Sequence, residues 1–299
     1  MVQQLRNQKN SPRHSSSKSS SKNSLGIIIL LVSASFFIVQ CSSKKTSSEN
    51  SHPQSFKSSD GIMIQLTFKG ENILPHYSPI FNKLVYSKKY SKQFENFQIF
   101  ELDLASNKER RITFNLGDNF NAHFHPYKSW IAYSSSTDEK LEKLPIHDLL
   151  KEYGLETPGT SVKEIGHEIY VSSLDSTDIK RLTKEVGLDG IPVFSTDGTK
   201  VYYLKKNANV SQILTFDLTS GRKSVVISQK DPIENFHVNA DAIAILSHIA
   251  DQKSELKILS LKKISEVKYQ NTFSNNLKDL YLHKTKNSIL ISMAPAGTT

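Results

Sequence analysis

Three histidines have the spacing needed for metal binding or for acid–base chemistry. His123 and His125 are separated by one residue, so on an extended strand both side chains point to one side. His76 stands at the position equivalent to His123 in the preceding sequence repeat. Imidazole nitrogens are common zinc ligands, but no motif fixes a carboxylate or a further histidine beside these residues. We therefore predict no metal ion and no other cofactor, and interpret the three histidines as candidate channel-lining residues.

Established catalytic motifs are absent from the sequence. It contains no Gly-x-Ser-x-Gly elbow, no glycine-rich phosphate loop and no His-Glu-x-x-His helix. No catalytic residue is therefore assigned, and a non-enzymatic protein is the first hypothesis. The alternative is a hydrolase or lyase whose site lies at a channel mouth around the three histidines.

Cys41 is the only cysteine of the 299 residues, and an apolar segment of 16 residues, 25–40, directly precedes it. Residues 1–24 contain five basic residues and no acidic residue. This order is typical of an export signal. The apolar segment is shorter than the ~20 residues that a transmembrane helix needs and slightly longer than the usual signal-peptide core of about 7–15 residues. An uncleaved membrane anchor therefore remains an alternative.

Residues 38–41, Ile-Val-Gln-Cys, resemble the lipobox of bacterial lipoproteins, with Gln40 standing where that family has glycine, alanine or serine. The resemblance implies that residues 1–40 are a lipoprotein signal peptide and that Cys41 receives a diacylglyceryl chain, for which palmitate is a suitable label. Residues 41–60 are polar and rich in serine and lysine, which is typical of a flexible tether. A buried, structural cysteine is the remaining alternative.

Charge and cysteine content restrict the partners and the compartment. The formal net charge is +9, but removal of the predicted signal peptide takes away five basic residues and no acidic residue, which leaves +4. That remainder is an ordinary solvated surface, so nucleic acid is not predicted as a partner. A single cysteine allows no internal disulfide, and stability must come from packing. We predict an outer-membrane lipoprotein of the cell envelope of a diderm bacterium, facing the periplasm or the surface.

These residues must be positioned by a repeated β unit. Residues 181–224 contain four short apolar segments separated by turns such as Asp197-Gly198. One turn and its following strand recur, without a gap, as SPIFNKLVYS (78–87), HPYKSWIAYS (125–134), STDGTKVYYL (195–204), VNADAIAILS (238–247) and HKTKNSILIS (283–292). Equivalent positions are 47, 70, 43 and 45 residues apart. A period near 45 with four strands per copy predicts a β-propeller.

The repeats resemble those of TolB-like propellers. The third copy carries the features of this resemblance: Leu-Thr at 182–183, Pro192 and Phe194 in the next strand, and Ser-Thr-Asp-Gly at 195–198. The resemblance covers residues 62–292 and implies the fold rather than an activity. TolB itself has an α/β domain ahead of its propeller, for which the tether leaves no room, and it is not a lipoprotein. We therefore expect a relative in architecture.

The predicted fold is all-β: a β-propeller over residues 61–299 with four complete repeats of four-stranded antiparallel blades and a partial fifth. Residues 62–68 could close the ring by adding a last strand to the fifth sheet, while an open ring and a shortened chain are alternatives. One register position is predicted to pack between adjacent sheets. It is occupied by Tyr77, Phe124, Phe194, His237 and Leu282. Trp130 is interpreted as a packing residue rather than a surface for ligand stacking.

The second copy carries an insertion at about residues 140–167, between its second and third strands. Pro145 could open a short helix there and Gly154 could close it. Its candidate partner-binding residues are Leu149, Leu150 and Tyr153. In a propeller this loop lies on the same face as the loops that enter the inner strands, and long loops in compact repeats are seldom needed for folding. We predict that this face binds an envelope protein or peptide; family drift, which would leave a purely structural scaffold, is the alternative.

Overall fold

The computed structural model describes residues 28–33, 55–58, 61–67, 69–90, 96–138, 166–185, 187–207, 209–249, 253–274, 277–282 and 288–293. Cys41 lies outside these ranges. Within them, no helix has the length and apolar character needed to cross a membrane.

Strands dominate the described chain. In order they are β1 (Ile28–Ser33), β2 (Ser55–Ser58), β3 (Gly61–Ile64), β4 (Glu71–Ser78), β5 (Lys83–Lys89), β6 (Gln98–Asp103), β7 (Lys108–Arg111), β8 (Asn119–Phe124), β9 (Trp130–Ser135), β10 (Glu168–Ser173), β11 (Ile179–Arg181), β12 (Leu188–Phe194), β13 (Lys200–Asn207), β14 (Val210–Asp217), β15 (Lys223–Gln229), β16 (Ile233–Val238), β17 (Ala242–His248), β18 (Ser254–Ser260), β19 (Val267–Phe273), β20 (Leu277–Leu282) and β21 (Ser288–Met293).

Glu49–Ile233 form one compact unit. It contains three four-stranded antiparallel sheets, β4 to β7, β8 to β11 and β12 to β15, and the two-stranded sheet of β2 and β3. The first strands of the three larger sheets lie side by side, because β8 contacts both β4 and β12. This is the radial arrangement expected of consecutive propeller blades.

Two apolar layers join these three sheets. Between the first and second sheets the buried residues include Val85, Ile99, Ile112, Phe124, Ile131 and Tyr133. Between the second and third sheets they include Ala132, Ile169, Val171, Phe194, Val201 and Tyr203. Alternate side chains of the second strand of a sheet therefore face different neighbouring sheets. Ile131 and Tyr133 face the preceding sheet, and Ala132 faces the following one.

Aspartates shape the turns between the third and fourth strands. Asp103 Oδ1 accepts the backbone N–H of Ser106 at 2.8 Å, and Asp217 Oδ1 accepts that of Ser220 at 2.8 Å. These bonds favour the charged carboxylate, so the serines hold the pKa of both aspartates below its usual value. The Asp-Leu pair at the end of each of these third strands thus has a local structural cause.

Each first strand of this unit contains a bulge at the same place. The pairing register breaks between Ile73 and His76, between Phe120 and His123, and between Gly190 and Val193. At each break one non-glycine residue adopts a left-handed backbone; the three residues are Leu74 (φ 53°), Asn121 (φ 54°) and Ile191 (φ 50°). A bulge changes the direction in which the side chains on either side of it point. Here it separates an apolar layer from a polar layer at the start of the strand.

Met1–Ser48 and Glu234–Thr299 form the second compact unit. It contains the four-stranded sheet β16 to β19 and a three-stranded sheet in the order β1-β21-β20, in which β1 runs parallel to β21. The predicted set of four complete repeats and a partial fifth is confirmed. Since β1 lies inside the predicted signal peptide, cleavage before Cys41 would remove this strand from the sheet.

The strand proposed to close the fifth sheet pairs elsewhere. Ile62 to Ile64 lie in β3 and pair with β2, with Lys57 opposite Ile62 and Ser55 opposite Ile64. The third strand of the fifth sheet is β1 instead. The prediction that residues 62–68 complete that sheet is therefore wrong.

Four of the five residues predicted to pack between sheets are buried: Phe124, Phe194, His237 and Leu282. Tyr77 is the exception, because 48% of its surface is exposed. It belongs to the first sheet of its unit, and neither of the other two four-stranded sheets of that unit covers that face. Trp130 is partly buried against the second apolar layer, which confirms its interpretation as a packing residue.

The gapless alignment of the fourth copy is wrong by one residue. It pairs Ala244 with Val201, which faces the preceding sheet. Ala244 instead packs on the following sheet, against Ile289 and Ile291. The cause is a shorter turn: Asn239 donates its backbone N–H to the carbonyl of Ala242, three residues on, whereas the equivalent bond of the third copy spans five residues.

Candidate functional site

The insertion of the second sheet leaves from one end of β9 and returns at the start of β10. Its central part, including Leu149, Leu150 and Tyr153 and the proposed helix from Pro145, lies outside the described residues. Its two ends are described: the departing end as far as Asp138 and the returning end from residue 166 onward. These ends show where the loop is attached and what holds it.

A partly buried ion-pair cluster joins the two ends. Asp138 Oδ2 lies 2.8 Å from Arg181 Nη1 and accepts a hydrogen bond from the Tyr170 hydroxyl at 2.6 Å. Arg181 Nη2 also lies 3.4 Å from Glu168 Oε1, and Glu168 is only 1% exposed. The Thr183 hydroxyl donates to the same carboxylate. Because both ends of the insertion share one arginine, the base of the loop is fixed.

The loop that enters β8 contacts this base. Ser136 donates its backbone N–H to the Asp118 carbonyl at 3.1 Å, and Ser136 Oγ accepts the Asp118 N–H at 3.0 Å. A Cβ at Gly117 would lie 2.3 Å from the backbone nitrogen of Thr137, so only glycine fits there. The described ends of the insertion therefore lie on the same face as the loop that enters β8.

A pocket of about 230 Å³ opens on this face between the second and third sheets. It lies at the returning end of the insertion, where His167 forms a bridge with Leu188. Its apolar walls are Phe120, Leu188, Ile191 and Leu204. Its polar lining residues are Asn121, Ser134, His167, Asp189 and Lys206. Most of the lining surface is apolar although polar residues contribute to it, and this combination is usual for a ligand pocket.

Asp189 is the unusual group of this pocket. It is 1% exposed, and neither carboxylate oxygen has a hydrogen-bond partner among the described residues. Burial raises its pKa from 3.8 to about 6, against the opposing effects of Lys205 and Thr183. Both neighbours also serve other carboxylates, because the Lys205 ammonium binds Glu185 at 2.7 Å and the Thr183 hydroxyl donates to Glu168.

Asp189 occupies a position that recurs in all three sheets of its unit. Asn72, Asn119 and Asp189 each lie just before the bulge of the first strand, opposite the same position of the second strand. In sequence each follows a glycine by two residues, at Gly70, Gly117 and Gly187. Sequence reasoning missed this residue, and the repeated Gly-x-Asn/Asp triplet is the signal that could have found it.

His76 and His123 lie together on neighbouring first strands. Their ring centroids are 3.7 Å apart, and His76 Nδ1 accepts the backbone N–H of Phe124 at 3.3 Å. His123 Nδ1 lies 3.1 Å from the Phe124 carbonyl oxygen. The two histidines predicted to be equivalent thus lie in ring contact, with their planes tilted by 37°. Among the described residues, no group of three or more histidine, cysteine, aspartate or glutamate residues could hold a metal ion.

His125 lies beyond the end of β8 and serves the turn that follows. Its Nδ1 accepts the backbone N–H groups of Tyr127 and Lys128, each at 3.0 Å, which makes Nε2 the protonated nitrogen that donates to the Gly198 carbonyl at 3.2 Å. Burial lowers its pKa, so the ring is neutral near pH 7. A Cβ at Gly198 would lie 2.5 Å from the ring of His125, and this glycine has a φ of 71°. His125 therefore links consecutive repeats, and both ring nitrogens are engaged.

Solved structures match this fold, although no protein-family model and no curated protein matches the sequence. TolB from Acinetobacter baumannii has a TM-score of 0.53 and 16% identity, over 80% of this chain and 50% of that one. A protein assigned as TolB from Agrobacterium tumefaciens has a TM-score of 0.52 and 15% identity, over 76% and 78%. The tricorn protease has a TM-score of 0.51 and 16% identity, over 75% and 24%.

The chain spans half the length of the Acinetobacter TolB structure. Identities of 15 and 16% define a shared fold and not a shared activity. The sheet order and these likenesses agree with the repeats read from the sequence. The fold of this chain is that of a TolB-like β-propeller, all-β and built from four-stranded antiparallel blades.

Proposed function

We propose that this protein is a non-enzymatic, lipid-anchored propeller of the cell envelope that binds a protein or peptide through its insertion-bearing face. One observation carries the proposal: the pocket that contains buried, unpaired Asp189 opens at the returning end of the insertion. A concave site and a long loop on the same face are the usual parts of a recognition surface.

The fixed base of the insertion supports a binding role. Arg181 connects Asp138 and Glu168, so the two ends of the loop leave the sheet in set directions. A loop whose base is already ordered loses less conformational entropy when a partner binds. A partner could then contact the loop residues Leu149, Leu150 and Tyr153 together with the mouth of the pocket.

The pocket also contains residue types used by hydrolases, namely Ser134, His167 and Asp189. Their contacts support binding rather than nucleophilic catalysis. The Ser134 hydroxyl donates to the carbonyl of Phe120 at 3.2 Å, so its proton is not directed to a histidine.

Deletion of the insertion tests the proposal. Residues 141–163 are replaced by a short turn, and envelope membranes are used in a pull-down with both proteins. We expect lost partner capture and a nearly unchanged melting temperature, because loop length contributes only a fraction of a kcal/mol per doubling. Tyr127→Ser is the matched control, since this 67% exposed side chain lies on the opposite face. Full capture by the deletion variant would disprove the binding role.

Lipid anchoring is tested separately with Cys41→Ser. The variant should lose palmitate labelling and membrane association, because Cys41 is the only cysteine. Retained membrane association without labelling would instead indicate that residues 25–40 act as an uncleaved anchor.

A further inference from the structure

A second pocket, of about 260 Å³, lies on the first sheet, at the end of β5, the start of β6 and the end of β7. Its lining residues are Lys88, Tyr90, Asn96, Gln98, Phe100 and Arg111. The equivalent strand ends of the second sheet hold Arg181 and its two carboxylate partners, at the base of the insertion. The pocket therefore lies at the same end of its sheet as the insertion does in the next one.

Arg111 and Arg181 are equivalent residues. Each ends the fourth strand of its sheet and pairs with the third residue of the third strand. Each donates its Nε–H to the carbonyl of a threonine two residues on, at 2.5 Å for Thr113 and 2.8 Å for Thr183. The same backbone carbonyl therefore positions both guanidinium groups.

The two carboxylates of the second sheet have no counterpart beside Arg111. Gln98 stands at the position of Glu168, and its amide donates to two backbone carbonyls of the loop before β8, at 3.1 Å each. In sequence, Ser91 stands at the position of Asp138, and Ser91 lies outside the described residues. The first sheet thus keeps the arginine and lacks an acid at both positions.

The guanidinium of Arg111 consequently has donors to spare. Its central carbon lies 4.8 Å from the ring centroid of Phe114, and stacking on an aromatic face leaves the N–H groups at the edge available. Apart from the Nε–H, none of its five N–H donors forms a bond within the described part of the chain. Burial lowers the pKa of this partly buried arginine. A carboxylate placed at its edge would offset that cost of burial.

Resting on the binding role proposed above, we propose that this pocket receives the side-chain carboxylate of a glutamate or aspartate from the protein or peptide partner. The other cation of the pocket, Lys88, is already neutralised, because its Nζ lies 2.7 Å from each carboxylate oxygen of Glu109. One positive charge, that of Arg111, is left, and it matches one carboxylate rather than a phosphate dianion. The guanidinium edge presents two parallel donors to such a group.

The aromatic lining suits the stem of an acidic side chain. The rings of Tyr90 and Phe100 form apolar surface beside the guanidinium, against which methylene groups can pack. A chain-terminal carboxylate would instead bring its polar peptide group against these rings. Tyr90 and Phe114 are 48% and 71% exposed, so a bound partner would also cover apolar surface at the edge of the pocket.

Binding of small probes to the full chain in detergent tests the inference. The probe is N-acetyl-glutamate methylamide, and NMR follows both the probe and the Arg111 Nε–Hε resonance. N-acetyl-glutamine methylamide lacks the charge, N-acetyl-alanine carries its carboxylate at the chain terminus, and inorganic phosphate supplies a dianion. We expect the glutamate probe to shift the Arg111 resonance and to bind about tenfold more tightly than the other three. Equal binding of the glutamine probe, or tighter binding of N-acetyl-alanine or phosphate, would overturn the inference.

Arg111→Gln should weaken binding of the glutamate probe by about tenfold or more, since it removes the uncompensated charge. Arg111→Lys keeps the charge without the two-donor edge and should weaken binding severalfold. Arg222→Gln, at an exposed arginine in the turn before β15, is the matched control and should leave binding unchanged. Melting curves establish that the variants are folded, and the shift of the wild-type Arg111 resonance tests the site without any variant. Unchanged binding by folded Arg111→Gln, or no shift of that resonance, would contradict the proposal.

Glu95, which lies outside the described residues, is a carboxylate of this chain close in sequence to the pocket. Glu95→Gln should bind the glutamate probe as the wild type does. Binding that is seen only in Glu95→Gln would mean that the chain itself fills the site, and the proposed partner carboxylate would be wrong.

The inference and the binding role can fail separately. The variant lacking residues 141–163 keeps all the pocket-lining residues, so it should bind the glutamate probe as the wild type does. In the pull-down, Arg111→Gln should reduce partner capture. Capture that is lost on deletion of the insertion but unchanged in Arg111→Gln would overturn the inference and leave the binding role. Capture that is lost in Arg111→Gln but unchanged on deletion would support the pocket and disprove the role of the insertion.

Discussion

Asn119 and Asp189 occupy the same position in neighbouring sheets, yet their surroundings differ completely. Asn119 Nδ2 donates to the carbonyl of Phe97 at 3.1 Å, to that of Gly117 at 3.0 Å and to Asn115 Oδ1 at 2.7 Å. Its Oδ1 accepts from Asn115 Nδ2 at 3.0 Å. Asp189 has no such bond among the described residues. One register position thus carries a fully hydrogen-bonded amide in the second sheet and a buried carboxylate without such bonds in the third.

The loops before the two strands explain the difference. The loop before β8 folds back over Asn119, and Asn115 and Gly117 supply both a donor and acceptors. In the third sheet Glu185, which corresponds to Asn115, binds two lysines instead, and its pKa is lowered to about 2 by Lys205 and Lys223. The Asp189 carboxylate therefore lacks the hydrogen bonds that the loop before β8 supplies to Asn119.

The apolar residues beyond the bulge from Asn119 and Asp189 should contribute equally to the free energy of unfolding in both sheets. Phe124 and Phe194 are 3% and 4% exposed, so Phe124→Ala and Phe194→Ala should each reduce the free energy of unfolding by about 3–5 kcal/mol. Reversible urea denaturation measures both. A loss under ~1 kcal/mol for either variant would contradict the strand register, and unequal losses would show that the two sheets differ below the polar layer as well.

Asn119→Asp should destabilise the protein by about 3 kcal/mol at pH 7. The change removes both N–H donors of Asn119, which are shared among three acceptors, and places a charge against the carbonyls of Phe97 and Gly117. The loss should shrink at pH 4, where an unpaired buried carboxyl takes up a proton. A neutral result would mean that the second sheet tolerates the open arrangement of the third.

Asp189→Asn should stabilise the protein at pH 7, by about 2 kcal/mol. The pKa of Asp189 is raised from 3.8 to about 6, so the folded state binds this proton more tightly than the unfolded state does. This difference in pKa destabilises the wild-type protein by about 3 kcal/mol above pH 6. The buried amide of the variant also lacks a hydrogen-bond partner and costs ~1 kcal/mol, which leaves the net gain of about 2 kcal/mol. Because the penalty is on the charged form, it disappears below pH 4.

The measurement compares both proteins by urea denaturation from pH 4 to pH 7. The stability advantage of Asp189→Asn should be smallest at pH 4 and should grow as the pH rises through the interval from 3.8 to about 6. Lys205, Glu168 and Glu185 are common to both proteins, so their titrations cancel in the difference. A difference that does not depend on pH would show that Asp189 is solvated or paired.

Local patterns were sufficient to predict the repeats but not the register of the fourth copy. Turn residues and apolar strands recur in sequence, and they identified five copies and the four-stranded sheets. In β17, however, Ala242 to Leu246 are all buried, so the alternation that normally fixes the register has no polar residue to mark it. A turn shorter by two residues was then hidden inside a gapless alignment.

The candidate site could be predicted only in part, for a related reason. The insertion is visible as extra sequence, and its face follows from the order of the strands. Asp189 is visible only as an aspartate where two other copies have asparagine. Whether such a residue is paired depends on groups far away in sequence, such as Glu185 and Glu168, and their choice of partner is a property of the folded sheets.

The smallest expected effect concerns the base of the insertion, which the second sheet has and the third lacks. Asp138→Ala should lower the free energy of unfolding by about 1 kcal/mol or less, because the Asp138 carboxylate is 33% exposed and Arg181 keeps its contact with Glu168. The effect should weaken at high salt, since solvent ions screen a partly exposed pair. Asp241→Ala is the matched control: its pair with Lys262 is exposed on both sides, at 63% and 83%, and its loss should be undetectable.

If Asp138→Ala also reduces partner capture, the ion pair orients the insertion for binding. Unchanged capture would mean that Gly117 and Ser136 alone hold the base of the loop.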